Sequence, residues 1–233
     1  MAVLRSLIFY TLFYPASAVL VLGAALASPL GRSTMQHFPD AWSHLHRWLA
    51  HHVLGIRVRI EGTPSSEPVL YAIKHEAFFE AIDLPTLFHK PVPLAKTELY
   101  QIPGWGQAAR AYGSVEIMRD GGAKMLRRMV SEAKQLLADG RPLIIFPEGT
   151  RVPHGTVAPL QSGFAGLYKL LGVPVIPVAV DSGPLYHRRW KRSGTVTIRF
   201  HDRIEPGLPR AEVEARVLAA INSLNLADQS PSA

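Results

Sequence analysis

The sequence predicts an α/β protein in which a mainly parallel central sheet is flanked by helices and preceded by membrane-associated amino-terminal helices. From residue 56 onward, short β-rich runs alternate with helical segments, which is typical of parallel sheets covered on both faces. Before them, residues 6–30 contain no charged side chain. At about 1.5 Å per residue, this run is long enough to cross a hydrocarbon core about 30 Å thick. We therefore expect contact with a membrane.

The composition excludes several classes of protein. Of the 233 residues, 48% are hydrophobic and 18% are charged, and a disordered chain is not depleted of charge in this way. The sequence has no cysteine, which excludes a disulfide framework, a thiolate zinc site, an iron–sulfur cluster and a cysteine nucleophile. The net charge of +7 suits an anionic membrane, a phosphorylated substrate, an acidic carrier protein or nucleic acid, and does not choose among them.

We predict that residues 1–54 form a membrane-associated helical segment. Pro15 and Pro29 lie within the apolar run 6–30, so a re-entrant or interfacial hairpin competes with a straight span. A cleaved signal peptide is a third reading, because Arg5 precedes the run and a later Ala-Leu-Ala sequence resembles a cleavage site. The run is, however, longer than the apolar region of usual signal peptides.

An amphipathic helix is predicted over residues 38–53. Its apolar side chains recur at helical spacing and share one face; they are Phe38, Ala41, Trp42, Leu45, Trp48 and Leu49. His37, His44 and His51 recur along one flank of this helix. Metal-binding histidines on one helix are better spaced by four residues, whereas histidine beside tryptophan suits a wet membrane interface. We therefore predict no metal site here.

Residues 55–226 are predicted to form the main domain, followed by a disordered tail at 227–233. Alternating or continuous apolar patterns predict strands at residues 56–61, 69–73, 92–95, 113–118, 143–146, 175–180 and 195–200. The clearest helix spans residues 122–138, where an apolar stripe ends before Gly140. In such a sheet, the functional site lies at the carboxyl ends of the strands.

A histidine and an acid follow the predicted strand 69–73. These are His75 and, five residues further on, Glu80. Five residues correspond to about 500° of rotation on a regular helix, so the two side chains meet only if the loop bends. The carboxylate would then fix the tautomer of the imidazole and leave the other ring nitrogen to take up a proton. The alternative is a capped helix whose histidine only packs.

Further polar residues follow other predicted strands: Lys96, Arg119 and, in the turn after Pro147, Glu148, Gly149, Thr150 and Arg151. The Glu148 carboxylate can accept a hydrogen bond from a hydroxyl, and the Arg151 guanidinium can bind a phosphate with two hydrogen bonds. Gly149 lets the backbone approach a ligand. A solvated Glu and Arg pair is an equal alternative for this turn.

Together, the stretches of sequence that carry these polar residues resemble the conserved blocks of the lysophosphatidic acid acyltransferase family, within the wider glycerolipid acyltransferases. The first block of the family is a histidine, four residues and an acid, as in residues 75–80. Its Phe-Pro-Glu-Gly-Thr-Arg block is present in full at residues 146–151. Three further elements of the family pattern resemble residues 95–99, 113–119 and 173–178. Order and spacing agree over residues 56–200, and membrane-associated amino-terminal helices are also typical of the family.

The resemblance implies transfer of a fatty acyl group from acyl-CoA or acyl carrier protein to the sn-2 hydroxyl of 1-acylglycerol-3-phosphate, which forms phosphatidate. His75 is then the general base, and Glu80 orients it. The substrate-binding residues that it implies are Lys96, Arg119 and Arg151 at the phosphate, Glu148 at the glycerol backbone, and Gly149 and Thr150 beside them. No metal, cofactor or nucleic acid is implied. The thioester donor places the domain on the cytoplasmic face of the cell membrane.

Some departures from the family pattern leave alternatives open. Glu80 stands where the family most often has aspartate, and Asp83 is a second candidate for the orienting acid. Glu76 and Ala77 replace the amide and hydroxyl residues expected after the histidine. Another lysophospholipid or an amino-acid-based lyso-lipid is an alternative acceptor. The alternative of a different class is a non-catalytic membrane lipid-binding protein.

Three further observations argue against nucleotide binding, serine hydrolysis and nucleic-acid binding. Residues 104–109 fit the dinucleotide pattern G-x-G-x-x-A but follow Pro103 and not a clean strand. The sequence contains no G-x-S-x-G, which argues against an α/β-hydrolase serine. The basic run 187–192 matches no nucleic-acid-binding motif. We expect it to be a solvated loop, or else a contact with a membrane or a carrier protein.

Overall fold

The computed structural model describes residues 1–102, 104–117 and 122–225. Within these residues the sheet has seven strands, which are β1 (Ile56–Glu61), β2 (Leu70–Ile73), β3 (Val92–Lys96), β4 (Val115–Ile117), β5 (Leu143–Ile145), β6 (Val175–Val180) and β7 (Gly194–Phe200). Their order is β1-β7-β6-β2-β5-β3-β4. Neighbouring strands are parallel except for β6 and β7, which are antiparallel. The predicted mainly parallel sheet is therefore confirmed.

Helices cover both faces of the sheet. They are α1 (Ala2–Ala27), α2 (Arg32–Leu49), α3 (Phe79–Leu87), α4 (Thr97–Tyr100), α5 (Trp105–Tyr112), α6 (Gly122–Ala138), α7 (Gly163–Leu171), α8 (Gly183–Tyr186) and α9 (Arg210–Ile221). Side chains alternate along β2: Tyr71 and Ile73 share a core with α1, α2 and α3, whereas Leu70 and Ala72 share a second core with α6, α7 and α9. The amino-terminal helices and α6 therefore lie on opposite faces.

The predicted strand 113–118 is shorter in the structure. Gly113 ends α5 with a left-handed backbone, at a φ of 93°, and the Ser114 hydroxyl donates to the carbonyl oxygen of Ala109 at 3.0 Å. These two residues finish the helix, so β4 begins at Val115. The other predicted strands agree with the observed ones to within one residue at either end. The predicted tail 227–233 lies outside the described residues.

The amino-terminal helices form an antiparallel hairpin. α1 stays helical through Pro15, so the proline does not break the apolar run. Phe13 contacts His46 of α2 with ring centroids 5.3 Å apart, and the indole of Trp42 donates to the Ser17 hydroxyl at 2.8 Å. Residue numbers that rise along α1 thus fall along α2. α1 is long and apolar enough to cross a membrane, and its exposed apolar side chains include Leu4, Leu7, Ile8, Leu12, Val19, Leu22 and Leu26.

α2 begins and ends earlier than the predicted helix 38–53, and an irregular helical turn at Ala50–Leu54 follows it. Only part of the predicted apolar face is buried, because α2 packs between α1 and α3. Trp48 is 55% exposed, whereas the polar Ser43 and His46 are fully buried. Hydroxyl groups on α3 and α8 are hydrogen-bond partners for these two side chains, at 2.6 and 2.8 Å.

The glycines of the dinucleotide-like stretch serve packing. Gly104 has a left-handed φ of 76°. Gly106 lies in α5 against the carbonyl group of Tyr100, and a Cβ built on it would be 2.0 Å from that oxygen. This stretch follows the short helix α4 and not a strand, so the structure gives the nucleotide reading no support.

Gly106→Ala is expected to destabilise the fold by about 1–3 kcal/mol, because the backbone of Tyr100 must move to make room for the methyl group. Gly166→Ala is the matched control. Gly166 is also helical, but no atom lies within 4 Å of a Cβ built on it, so alanine should be neutral or stabilising by up to about 1 kcal/mol. Denaturant unfolding compares the two variants, and equal stability would contradict the packing argument.

Candidate active site

Polar residues from adjacent strands meet at one edge of the sheet. His75 follows β2, and residues 148–151 follow β5, which pairs with β2. Lys96 ends β3, the next strand along. The carboxyl ends of these parallel strands share an edge, as expected for an α/β site. Arg119 lies outside the described residues.

The structure brings His75 and Glu80 into contact. Nδ1 of His75 donates to Oε1 of Glu80 at 2.9 Å. Because a carboxylate oxygen only accepts, Nδ1 carries the proton and Nε2 has a free lone pair. The imidazole also stacks on Phe146 with ring centroids 4.2 Å apart, and its side chain is 16% exposed. This arrangement fixes the ring and leaves one edge within reach of a substrate.

Glu80 bends the loop that carries His75. Oε1 of Glu80 accepts the backbone N–H groups of Glu76 and Ala77 at 2.6 and 2.7 Å, and the Ser182 hydroxyl donates to Oε2 at 2.6 Å. Glu80 lies in the first turn of α3, where a negative charge is favourable. The longer glutamate arm therefore makes the contact with the histidine directly.

Asp83, the second candidate for the orienting acid, is engaged elsewhere. Both of its oxygens accept hydrogen bonds from Arg47 of α2, one of them at 2.6 Å. Burial raises the pKa of Asp83 to about 6, although the hydrogen bond from Arg47 opposes this. Asp83 thus joins α3 to the amino-terminal hairpin, and the carboxylate that bonds to the ring of His75 is Glu80 and not Asp83.

Glu148 occupies an interior position beneath the histidine. Lys74 and Glu148 are both buried and form an ion pair at 2.6 Å. Nζ of Lys74 also donates to Asn222 of the turn after α9 at 2.9 Å, and the other Glu148 oxygen accepts the backbone N–H of His75 at 3.3 Å. The predicted contact of Glu148 with an acceptor stays a prediction, since both carboxylate oxygens have protein partners here.

The remaining residues of the turn after β5 are more open. Gly149 has a left-handed φ of 67°, and Thr150 and Arg151 are exposed. The Arg151 guanidinium lies over the ring of Phe78, 4.1 Å from its centroid. The exposed guanidinium of Arg151 is thus held against the loop that carries His75, where an anion can approach it.

A second acid and histidine pair lies beside the first. Nδ1 of His154 donates to Oε1 of Glu76 at 3.0 Å, and the backbone N–H of Gly183 donates to Oε2 at 2.9 Å. Glu76 is fully buried. Burial raises the pKa of Glu76 to about 7, although its hydrogen bonds and the charge of His154 oppose the shift.

Sequence reasoning missed several of these residues. Ser182 follows the carboxyl end of β6 by two positions, so the rule that located His75 would also have located this serine. Lys74 directly precedes His75, but nothing in the pattern shows that its ammonium group points inward. Asn222 lies far along the chain, and no local signal connects it to the site. Within the residues that the structure describes, no three His, Asp or Glu side chains form a group that would hold a metal ion.

Comparison with known proteins agrees with this geometry. A family model described as Acyltransferase matches residues 55–181. The chain is 26% identical over 201 residues to the 1-acyl-sn-glycerol-3-phosphate acyltransferase of Pseudomonas aeruginosa, with 84% of this chain and 78% of that protein covered. It is 28% identical over 161 residues to the 1-acyl-sn-glycerol-3-phosphate acyltransferase alpha of Mus musculus, with 67% and 56% covered.

A solved structure has the same fold over the whole chain. It is the 1-acyl-sn-glycerophosphate (LPA) acyltransferase PlsC from Thermotoga maritima, with a TM-score of 0.72, 23% identity and full coverage of both chains. At this identity the likeness concerns the fold. Together with the family match, it confirms the resemblance on which the sequence analysis relied.

Glu76 should make stability depend on pH. Its raised pKa means that the folded state keeps a proton which the unfolded state releases between about pH 4.5 and 7, so the stabilisation is complete below this window and is lost as the pH rises through it. Glu76→Gln removes the titration but keeps an acceptor. Its stability relative to wild type should therefore rise with pH across the window, by up to about 3 kcal/mol.

Denaturant unfolding of both proteins on either side of this pH window measures the effect. The contribution of Asp83, whose pKa is also raised, is common to both proteins and cancels in the difference. A difference in stability that does not change with pH would show that Glu76 titrates as an ordinary glutamate.

Proposed function

The chain belongs to the acyltransferase family, and we propose that it transfers a fatty acyl group from a thioester to the sn-2 hydroxyl of 1-acylglycerol-3-phosphate, which forms phosphatidate. The observation that carries this proposal is the hydrogen bond from His75 to Glu80 at the open edge of the sheet. Relatives that are named for this reaction add support. A non-catalytic lipid-binding protein has no need of a histidine held in one tautomer.

His75 acts as the general base. Nε2 takes the proton of the acceptor hydroxyl while the hydroxyl oxygen attacks the thioester carbonyl. The tetrahedral intermediate then expels the thiolate, and the imidazolium returns the proton to the sulfur. The ester bond forms, the thioester bond breaks, and no proton is gained or lost. Because the sequence has no cysteine, direct attack is favoured over an acyl-enzyme on a thiol.

Glu80 supports this step by charge. The imidazole becomes positive when it takes the proton, and the buried carboxylate at 2.9 Å stabilises that charge. The three further hydrogen bonds that Glu80 accepts hold it in place. The interaction is strongest in the transition state, which is the condition for raising the rate and not only the affinity.

The acceptor phosphate is assigned to cationic side chains at the same edge. Arg151 is exposed beside the histidine loop, and Lys96 ends the neighbouring strand β3. We keep Arg119 as a third candidate from its place in the sequence. Gly149 and Thr150 border this position, and Glu148 supports it by holding the Lys74 ammonium group and the His75 backbone.

α1 is the proposed membrane anchor, and the catalytic domain would face the cytoplasm at the cell membrane. The support is a helix that is apolar and long enough to cross a bilayer. A thioester donor, whether acyl-CoA or acyl carrier protein, is supplied from the cytosol. The donor and the preferred acceptor are decided by assay with each donor against lysophosphatidate, other lysophospholipids and amino-acid-based lyso-lipids.

His75→Ala should lower the turnover of lysophosphatidate by about 100 to 10,000-fold, the usual contribution of a positioned base. His89→Ala is the matched control, because His89 is exposed just before β3, at the opposite edge of the sheet. Transfer of a radiolabelled acyl group to lysophosphatidate measures both variants. More than a tenth of wild-type activity in a folded His75→Ala protein would exclude the base assignment.

Glu80→Gln and Asp83→Asn separate the two candidate acids. Glu80→Gln keeps size and hydrogen bonding but removes the charge, so kcat should fall while KM for the acceptor changes little. Asp83→Asn should lower stability, because Arg47 loses its ionised partner, but kcat per folded molecule should stay near that of wild type. Loss of kcat in Asp83→Asn with near-normal Glu80→Gln would transfer the orienting role to Asp83.

A further inference from the structure

The basic loop at residues 187–192 is attached to the first turns of α1. The backbone N–H of Lys191 donates to the Ser6 hydroxyl at 2.8 Å, and the Tyr10 hydroxyl donates to the carbonyl oxygen of Arg189. Residues 187–192 lie far from α1 in the sequence, so these bonds hold a cationic loop against an apolar helix by tertiary structure alone.

Lys191 is the buried residue that holds this loop in place. It is 8% exposed, and its ammonium group donates to the Tyr186 carbonyl oxygen at 2.9 Å and lies 3.6 Å from the centroid of the Tyr186 ring. Burial lowers the pKa of Lys191 to about 8. Lys191 therefore fastens the loop, and its charge is not available to a ligand.

The arginines of the loop face outward. Arg188, Arg189 and Arg192 are exposed, and the guanidinium of Arg189 lies over the ring of Trp190, 4.9 Å from its centroid. The first turns of α1 beside them expose apolar side chains, among them Leu4, Leu7 and Ile8. The sequence contains no acid between residues 1 and 39 or between residues 182 and 201. Neither the loop nor the first turns of α1 therefore supply a carboxylate that would neutralise the arginines.

The antiparallel strand β7 brings this surface to the edge that carries His75. The loop connects the carboxyl end of β6 to the amino end of β7. β6 runs parallel to β2, so the loop begins at the edge where His75 follows β2. Ser182, at the start of the same connection, contacts Glu80.

We propose that Arg188, Arg189 and Arg192, together with the exposed apolar side chains of Leu4, Leu7 and Ile8, form a surface that binds anionic lipid headgroups of a bilayer. A bilayer offers an anionic layer directly above an apolar one, which matches exposed arginines on a loop that is hydrogen-bonded to a helix with exposed leucines. An acidic carrier protein would match the arginines but would leave the adjacent leucines without a partner. The proposal concerns membrane binding and does not depend on the acyl transfer.

The test uses the purified 233-residue chain and a competition between two kinds of vesicle in one tube. One kind is phosphatidylcholine alone, and the other contains added phosphatidylglycerol. The vesicles are separated by density, and the protein on each is measured. α1 contributes to binding of both vesicles, so the ratio between them reports headgroup preference and not the apolar anchor.

The variant Arg188→Gln/Arg189→Gln/Arg192→Gln should lower the preference for phosphatidylglycerol by about 100-fold, because each basic side chain near an anionic surface contributes about fivefold. The matched control removes three exposed positive charges from α6, on the opposite face of the sheet, in Arg127→Gln/Arg128→Gln/Lys134→Gln. We expect this control to keep the wild-type preference for phosphatidylglycerol. High salt should abolish that preference in the wild type and in the control.

Two outcomes would overturn the proposal. One is an equal loss of preference in the two triple variants, which would make net charge and not the loop responsible. The other is an unchanged vesicle preference in the loop variant together with loss of binding to acyl carrier protein, which would assign the loop to a protein partner. Both triple variants are first shown to unfold at the wild-type denaturant midpoint.

Discussion

The geometry of this site depends on the hydrogen bonds that the Glu80 carboxylate accepts. The carboxylate accepts hydrogen bonds from the His75 ring, from two backbone N–H groups of the loop and from the Ser182 hydroxyl. A buried carboxylate is tolerated only when its oxygens are satisfied, and here the loop satisfies them by folding around it. The same bonds set the bend of the loop, the start of α3 and the tautomer of the histidine.

The Lys74 and Glu148 pair extends this constraint to the carboxyl-terminal part of the chain. Removing one partner of a buried ion pair leaves an uncompensated charge, so the strand end before His75 and the turn after β5 are held together. Asn222 accepts from the same ammonium group, which ties the turn after α9 to the site. The acid of the Phe-Pro-Glu-Gly-Thr-Arg block is therefore interior, while its arginine is exposed.

Much of the fold was predictable because buried parallel strands are continuous apolar runs between turns. The meeting of His75 and Glu80 was predictable from a strand end and a spacing that requires a bend. The direction in which a side chain points was not predictable. The sequence around Glu148 is the same whether its carboxylate faces a substrate or the Lys74 ammonium group. The buried face of α2 also escaped prediction. Ser43 and His46 are polar, and their burial depends on hydrogen bonds to hydroxyl groups on α3 and α8, which are distant in the sequence.

The inverted strand β7 connects these features to the amino-terminal hairpin. In a wholly parallel sheet, the connection after β6 would cross to the opposite edge before the next strand began. Because β7 is antiparallel to β6, the connection stays at the edge of His75 and lies against α1. Ser182 at its start can then bind Glu80, and Lys191 near its end can bind α1. A single reversal of strand direction thus joins the orienting acid to the apolar helix through one short segment.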